Sequence, residues 1–484
     1  MKIKSLIPMA LMMLASGCTT GPDYHVPGVK LPGQWSELAA GGLAKNREQI
    51  SAWWQSFRDP ELDSLIERAA TTNLSLRIAE ARVREARARR GIAEAGYWPT
   101  VNAGGGYARQ KQSENQPITG SMDIPSSVPF ENNVYDVGFD AGWEIDLFGG
   151  TRRAVEAATA DLAAMEYEQR DALVTLLAEV ARNYVQTRGG QRIWAVLQDQ
   201  IKAQEASVTI TRSRVELGGA SDLDLQRALA LLANIQSQVP LVEADIQRSI
   251  YRLGVLLAQP PDALQEELCT AAPIPAPPPE VPIGLPSDLL LRRPDVRRAE
   301  RQLAAETARI GQRKADLFPK FFLTGAAGLA SIDSGEFFSQ SSTVWSIGPS
   351  VQWRIFDADR VRASIRAQVA VQDQAELAYE QVVLSSLEEV ENALVAYAKE
   401  QEHRRRLEQA VAANQKAVEI ANQLFNAGLG KYLDLLDAQR ALYLSQSDYA
   451  RSEQVVSMNL IALYKALGGG WSGANTANCR MVKM

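Results

Sequence analysis

The sequence has few of the residues on which catalytic and metal sites depend. Its 484 residues include two histidines and three cysteines, and His25 and His403 lie in unrelated contexts. No group of His, Cys and carboxylate residues has the spacing of a metal site, and neither a Walker phosphate loop nor a nucleophile elbow is present. We therefore expect a protein that is not an enzyme and has no cofactor or metal.

Aromatic residues are also scarce, at 7%, whereas Ala, Leu, Glu, Gln and Arg dominate, which favours long helices over compact sandwiches. The net charge is −6, and acidic and basic residues are interleaved along the chain. This patterning is typical of solvated helix faces and argues against nucleic acid as a partner.

Helix-breaking residues are absent from long stretches. Residues 358–427 contain neither Pro nor Gly, and residues 151–217 lack Pro. Each stretch of roughly 70 residues would reach about 100 Å as a continuous helix. Five residues in each stretch, nearly all of them apolar, step by the 3.5-residue repeat of coiled coils, which predicts helices packed on neighbouring helices without a thick core. These residues are Leu173, Leu177, Val180, Tyr184 and Thr187 in the first stretch, and Val383, Leu387, Val390, Leu394 and Tyr397 in the second.

A turn follows each long helix, and the two turns are copies of one another. Matching residues lie 210 positions apart, which indicates an internal duplication. The turn glycines, Gly218 in the first copy and Gly428 and Gly430 in the second, are suited to the positive φ that a helix C-terminus needs. The first copy has Gly218, Ala220, Leu223, Asp224, Leu225, Ala228 and Leu232, and the second has Gly428, Gly430, Leu433, Asp434, Leu435, Ala438 and Leu442.

Strand patterns follow Pro99 and Pro319, which each end a helical segment. Apolar residues alternate with polar or small ones over 135–147 and 345–355, and shorter strands are predicted near 101–110 and 320–330. Alternation over about 10 residues is typical of transmembrane β-barrel strands, although a small soluble sheet has the same pattern. Four strands cannot close a barrel, so either the sheet packs on another element or several chains share one barrel; the export signal favours sharing.

The N-terminus predicts export and lipidation. Lys2 and Lys4 precede an apolar run from Leu6 to Ala15, which is too short for a membrane anchor. The run ends in Ala15, Ser16, Gly17 and Cys18, which resembles the lipobox of bacterial lipoproteins. The resemblance implies that residues 1–17 are a signal peptide, that Cys18 carries the covalent lipid, and that the protein is sorted to the outer membrane.

Cys269 and Cys479 remain after lipidation. In an oxidising compartment they either form a disulfide or stay as two unpaired thiols.

The chain divides into two repeats with connecting segments. Residues 18–59 form a lipidated N-terminal segment, and 60–270 hold the first repeat of helix, β-hairpin near 100–148, long helix and helix. A Pro-rich linker covers 259–284, the second repeat covers 285–470 with its hairpin near 320–357, and 471–484 form a tail. A helical segment from about Pro60 to Gly96 opens the first repeat.

Together these features resemble the TolC-like outer-membrane factors of tripartite efflux systems, in particular their lipoprotein (NodT/OprM-like) branch. The resemblance rests on the lipobox, the duplicated turns, GLPSDLLLRRPD at 284–295 and LYKALGGGW at 463–471. It implies a mixed α/β membrane protein in which three chains share a twelve-stranded barrel, continued by a periplasmic helical barrel. It also places the N-terminal segment, the linker and the tail in one equatorial region, which favours the disulfide between Cys269 and Cys479.

The resemblance further implies a gate at the periplasmic helix tips. Asp434 and Asp437 match acidic ring positions, Arg440 a latch, Phe425 an aromatic position, and Asp224 a latch acceptor, whereas Gly430 departs from members with a basic residue there. In a trimer the two aspartates would place six carboxylates around a constriction, which favours cations. Helix N-terminal carboxylates stabilised by the helix dipole are the alternative reading of these aspartates.

The predicted function is a passive exit duct in the outer membrane. The resemblance implies a homotrimer that contacts outer-membrane lipids, a periplasmic adaptor (membrane fusion) protein and a proton-driven inner-membrane pump of the resistance-nodulation type. A periplasmic lipoprotein scaffold or adaptor without a pore is the alternative. The alternating strands argue against it, because a scaffold has no need of lipid-facing Trp143 and Trp353.

Overall fold

The computed structural model describes residues 19–29, 31–35, 43–44, 51–111, 131–278, 281–282 and 286–471. Cys18 with its predicted lipid, Cys479, most of the 111–133 loop and the tail after Trp471 lie outside these residues.

The main helices and strands follow the predicted order in both repeats. In chain order they are α1 (Pro60–Thr72), α2 (Leu74–Ala95), β1 (Thr100–Lys111), β2 (Glu131–Ile145), α3 (Gly150–Glu216), α4 (Asp222–Gln236), α5 (Val239–Leu256), α6 (Pro294–Ala315), β3 (Lys320–Ser331), β4 (Thr343–Gln352), α7 (Arg360–Asn426) and α8 (Tyr432–Ala466). Short helical segments are Trp53–Phe57, Gln265–Leu268, Pro286–Asp288, Leu289–Arg292 and Gln340–Ser342, and Leu43–Ala44 pairs in parallel with Val281–Pro282.

The duplication is visible in the elements themselves, because α3 and α7 each have 67 residues. The copies differ after their turns. In the first copy, the helix is interrupted between α4 and α5, and Pro240 lies in the first turn of α5. The matching residue 210 positions later is Ala450, which is 1% exposed within the continuous helix α8. Proline lacks an amide donor, so only the first copy is interrupted.

The helical segment predicted from about Pro60 to Gly96 consists of two helices, α1 and α2. Asn73 separates them with an extended backbone. Its side chain accepts a hydrogen bond from the Leu76 amide at 3.0 Å and donates to the Leu256 carbonyl at 2.8 Å. Asn73 therefore caps α2 and holds it against α5.

One antiparallel sheet contains all four long strands, in the order β1–β2–β3–β4. The strand predicted over 345–355 runs from Thr343 to Gln352 and so ends earlier than expected. Its partner β3 begins at Lys320, directly after Pro319, and Lys320 pairs with Gln352. Trp353 no longer pairs in the sheet; its indole donates to the Leu317 carbonyl at 3.1 Å.

The chain forms two compact units, which we describe separately. The first comprises the described residues within 19–27, 84–111, 131–163 and 300–377 and holds the sheet. The second comprises the described residues within 28–83, 164–299 and 378–471 and holds both helical turns.

The coiled-coil seams predicted in both repeats are buried. Val180, Thr187, Val390 and Leu394 are fully buried, and Leu173 and Leu387 are partly buried. The expectation of no thick core is wrong for the second unit, because most residues of both seams join one hydrophobic cluster with Trp35, Trp53 and Phe57 and with residues of α1, α5 and α8. Aromatic side chains from the N-terminal segment supply the additional buried volume.

Arg292 and Arg293, from the sequence run at 284–295, contact the run at 463–471 in the second unit. Arg293, 8% exposed, donates to the Ala466 carbonyl at 2.9 Å, while the Trp471 indole donates to the Arg292 carbonyl at 3.0 Å. Burial alone would raise the pKa of Asp295, but hydrogen bonds and charge from Arg293 lower it below its usual value. Arg293 thus donates a hydrogen bond to a carbonyl at the C-terminus of α8, while its charge stays paired with Asp295.

Within the described ranges, no helix combines the length and apolar character needed to cross a bilayer. The same residues contain no cluster of three or more His, Cys, Asp or Glu side chains arranged to hold a metal ion.

Candidate functional site

Both turns end their long helices in the same way. Gly218 and Gly428 have φ values of 76° and 74°. After α3, the Gly219 amide donates to the Arg214 carbonyl at 2.7 Å, and after α7, the Leu429 amide donates to the Leu424 carbonyl at 2.9 Å. Each is the hydrogen bond of a Schellman motif, which needs a left-handed residue that glycine adopts without strain.

Gly430 does not take the positive φ that we expected, since it is not among the residues with left-handed backbone. A Cβ atom there would lie 3.1 Å from the Leu424 Cβ and 3.3 Å from the Phe425 amide nitrogen. Close approach of the turn to the end of α7, and not backbone conformation, therefore explains this glycine.

The helices that leave the turns are capped differently. Ser221 and Asp224 form a capping box at the start of α4, in which the Ser221 hydroxyl also donates to Asp224 Oδ2 at 2.7 Å. Lys431 takes the equivalent position before α8 and makes no side-chain cap. Asp224 thus stabilises the start of α4 locally.

The predicted gate carboxylates line the exposed side of α8. Asp434 and Asp437 are both exposed, and Asp437 lies 3.9 Å from Arg440 Nη1 on the same helix. Among the described residues the Asp434 carboxylate has no hydrogen-bond or ion-pair partner. Asp224 is paired at 3.9 Å with Arg227, so within one chain the structure does not bring Arg440 and Asp224 together.

Arg214 connects the two turns, and the sequence reasoning missed it. Its guanidinium lies 4.2 Å from the centre of the Phe425 ring and donates to the Phe425 carbonyl at 3.3 Å and to Asn426 Oδ1 at 3.1 Å. Phe425 is 9% exposed, and its ring lies 5.5 Å from that of Tyr432. The only signal in the sequence is a basic residue in the last turn of α3, where the helix dipole stabilises a positive charge. That signal does not reveal that Arg214 contacts the end of the other long helix, α7.

Polar side chains are buried behind the turns. Gln200 donates to the Tyr443 carbonyl at 3.2 Å, and Gln204, fully buried, donates to the Ala228 carbonyl at 3.1 Å. The Tyr432 hydroxyl is buried and has no partner among the described residues. Burial, with a smaller effect from Tyr432, raises the pKa of Tyr443 to about 12, so that phenol is neutral at ordinary pH.

The arrangement suits ion binding and conformational control more than covalent chemistry. Exposed carboxylates on α8 can attract cations, and half-exposed ion pairs can be exchanged for other pairs at little cost. Cys269 is exposed in the described part of the chain, and its predicted partner Cys479 lies outside it.

Comparisons with known proteins match both repeats. A sequence profile described as outer membrane efflux protein matches residues 65–259 and 285–469. The toluene efflux pump outer membrane protein TtgI of Pseudomonas putida is 33% identical, over 98% of this chain and 99% of that protein. Nodulation protein T of Rhizobium leguminosarum bv. trifolii is 30% identical, over 95% of this chain and 96% of that protein. A structure of the outer-membrane channel OprN superposes with a TM-score of 0.87 at 35% identity, covering 94% of this chain and 100% of that one.

Proposed function

We propose that this chain, which belongs to the outer membrane efflux protein family, is the exit duct of a tripartite efflux pump. The family resemblance read from the sequence is confirmed, as are the mixed α/β fold and the internal duplication. The duct is passive and carries solutes from a periplasmic pump complex to the exterior.

The open sheet supports assembly into a trimer. Among the described residues of one chain, β1 and β4 each pair on one side only. Unpaired strand edges are unfavourable in a bilayer, and four strands are too few to close. Three copies joined edge to edge would close a twelve-stranded barrel whose exposed aromatic residues face lipid.

The proposed gate rests on the structure of the two duplicated turns. Asp434 and Asp437 are exposed beside one another on α8, and threefold symmetry would place six carboxylates around one axis. Arg440, Asp224 and Phe425 complete the gate in our proposal, with Arg440 exchanging its half-exposed partner Asp437 for a carboxylate of a neighbouring chain. Each such pair contributes about 0–1 kcal/mol, so a partner that binds the open form better can shift the equilibrium.

The partners follow from the same proposal. A periplasmic adaptor would bind the turns, and a proton-driven inner-membrane pump of the resistance-nodulation type would supply the substrate. The relative TtgI is named for toluene efflux. For this chain we propose that the pump selects the substrate, because exposed carboxylates at the turns attract cations by charge and do not recognise shape. A lipid on Cys18 would add a second attachment to the outer membrane.

Single-channel conductance of the purified protein in planar bilayers tests both the duct and the gate. We expect a small, cation-selective conductance that grows, or loses its block by multivalent cations, in Asp434→Ala/Asp437→Ala. The matched control is Asp448→Ala, because Asp448 pairs with Arg451 on the same helix at the same 3.9 Å distance but lies farther from the turn.

Each outcome has a separate meaning. A conducting protein whose double mutant is unchanged would retain the duct and overturn the gate. An assembled trimer that conducts in neither form would overturn the duct and favour the alternative, a lipoprotein scaffold or adaptor without a pore.

A further inference from the structure

The N-terminal residues Thr19–Tyr24, here called the strap, are built into the first unit. The Thr20 amide and hydroxyl donate to the Phe148 carbonyl at 3.2 and 3.0 Å, and the hydroxyl also lies 3.1 Å from the Gly311 carbonyl. Phe148 lies between β2 and α3, and Gly311 lies on α6. The strap therefore contacts both repeats of the duplication where the sheet ends.

Two glycines allow the strap backbone to lie directly on α6. Gly21 has a φ of 97°, and a Cβ atom there would lie 2.3 Å from the Gly311 Cα. A Cβ on Gly311 would lie 2.5 Å from the Thr20 carbonyl oxygen and 2.8 Å from Arg153 Cγ. Neither position has room for a side chain while the strap is docked.

Buried charges hold the rest of the strap. Arg153, 3% exposed, donates to the Thr20 carbonyl at 3.1 Å and to Asp23 Oδ1 at 2.7 Å. The Tyr24 hydroxyl donates at 2.6 Å to Glu300, which is 2% exposed. A buried arginine or glutamate is costly without partners, so removal of the strap would leave both charges less well satisfied.

The residues that surround the strap form a groove, and the groove residues differ between the two copies of the duplication. Gly311 matches Gly91 in the first repeat, where an added Cβ would have nothing within 4 Å. Arg153 matches Ala363 in the second repeat. If these residues served only to pack helices, both repeats would need them. A groove that binds the single N-terminal strap is needed in one repeat only.

We propose that this groove, formed by Phe148, Arg153, Glu300 and Gly311, is a binding site for the strap, and that the docked strap links the lipid anchor to the first unit. Cys18 is two residues from Thr20, and chain geometry allows at most about 7 Å for that distance. A lipid on Cys18 would then hold the folded unit through the strap instead of through a loose tether. The link rests on the predicted lipidation and not on the duct.

Hydrogen exchange of the purified full chain measures the docking. We expect the amides of the strap to exchange slowly in the wild type and about tenfold faster in Gly311→Ala. Gly91→Ala is the matched control and keeps the wild-type rates. Gly21→Ala changes the strap alone, so it undocks the strap even if Gly311→Ala does not fold. Equal strap exchange in Gly21→Ala, Gly91→Ala and the wild type would overturn the binding site.

A second comparison tests the link to the lipid. Residues 1–18 are replaced by the signal peptide of a soluble periplasmic protein, and the temperature at which the unboiled assembly dissociates is compared with that of the lipidated form. Loss of the lipid lowers this temperature in the wild type and in Gly91→Ala but not in Gly21→Ala. An equal shift in Gly21→Ala, or no shift in the wild type, would overturn the link, whatever the conductance measurements show.

Discussion

Single residues decide how the two turns of one chain are joined. Arg214 lies on the first long helix, yet its guanidinium contacts the ring and carbonyl of Phe425 at the end of the second. The residue that matches Arg214 in the second repeat is Leu424, so the contact is not duplicated. If the proposed gate opens by moving the second turn away from the first, this contact must break.

Arg214→Ala should favour the open duct. The change removes a cation–π contact and hydrogen bonds from a charged donor, which in this half-exposed setting contribute about 1–2 kcal/mol. That corresponds to roughly a 5- to 30-fold increase in the ratio of open to closed channels in planar bilayers. Arg212→Ala, at an exposed position on the same helix, is the control and keeps the wild-type ratio. Unchanged gating in Arg214→Ala would show that the two turns move together or that the gate lies elsewhere.

At the scale of elements, the contact between the two hairpins depends on paired glycines. Gly138 on β2 pairs with Gly328 on β3, and a Cβ on Gly328 would lie 2.3 Å from the Val137 carbonyl oxygen and 2.7 Å from the Gly138 Cα. The strands thus approach more closely than side chains would permit. This pairing makes one sheet from the hairpins of two repeats, which the alternating pattern of each strand did not reveal.

Gly328→Ala should weaken the assembled protein by about 1–3 kcal/mol, since the added methyl group forces β2 and β3 apart. The measurement is the temperature at which the unboiled assembly loses its altered electrophoretic mobility. Gly348→Ala on β4 serves as the control, because a Cβ there has nothing within 4 Å. Equal dissociation temperatures for the two variants would contradict a close approach of the hairpins.

At the scale of the whole molecule, the apolar face of the sheet is the surface that we expect to contact lipid. On β4, Trp345, Ile347 and Val351 alternate with polar or small residues and are 76%, 71% and 60% exposed. Apolar exposure of this extent on a regular strand face is unfavourable in water and favourable in a bilayer. The proposed trimer places this face toward the membrane.

Ile347→Lys should reduce the amount of assembled protein in the outer membrane. A charge on the lipid face of a barrel strand costs about 2–4 kcal/mol near the bilayer centre. Ser346→Lys places the same charge on the opposite face and should assemble normally. Both are measured as the fraction of unboiled trimer in isolated outer membranes. If Ser346→Lys fails and Ile347→Lys assembles, the opposite face of the sheet is the one in contact with lipid.

Local sequence was enough to establish the repeats, the long helices, the four strands and the burial of the coiled-coil seams. Periodicity and helix-breaking residues act within a few positions, so they can be read without knowledge of distant contacts. The order of the strands, the cap at Asn73, the contact of Arg214 with Phe425 and the docking of the strap could not be read in this way. Each joins residues far apart in the chain, and such contacts depend on which surfaces the folded helices and strands bring together.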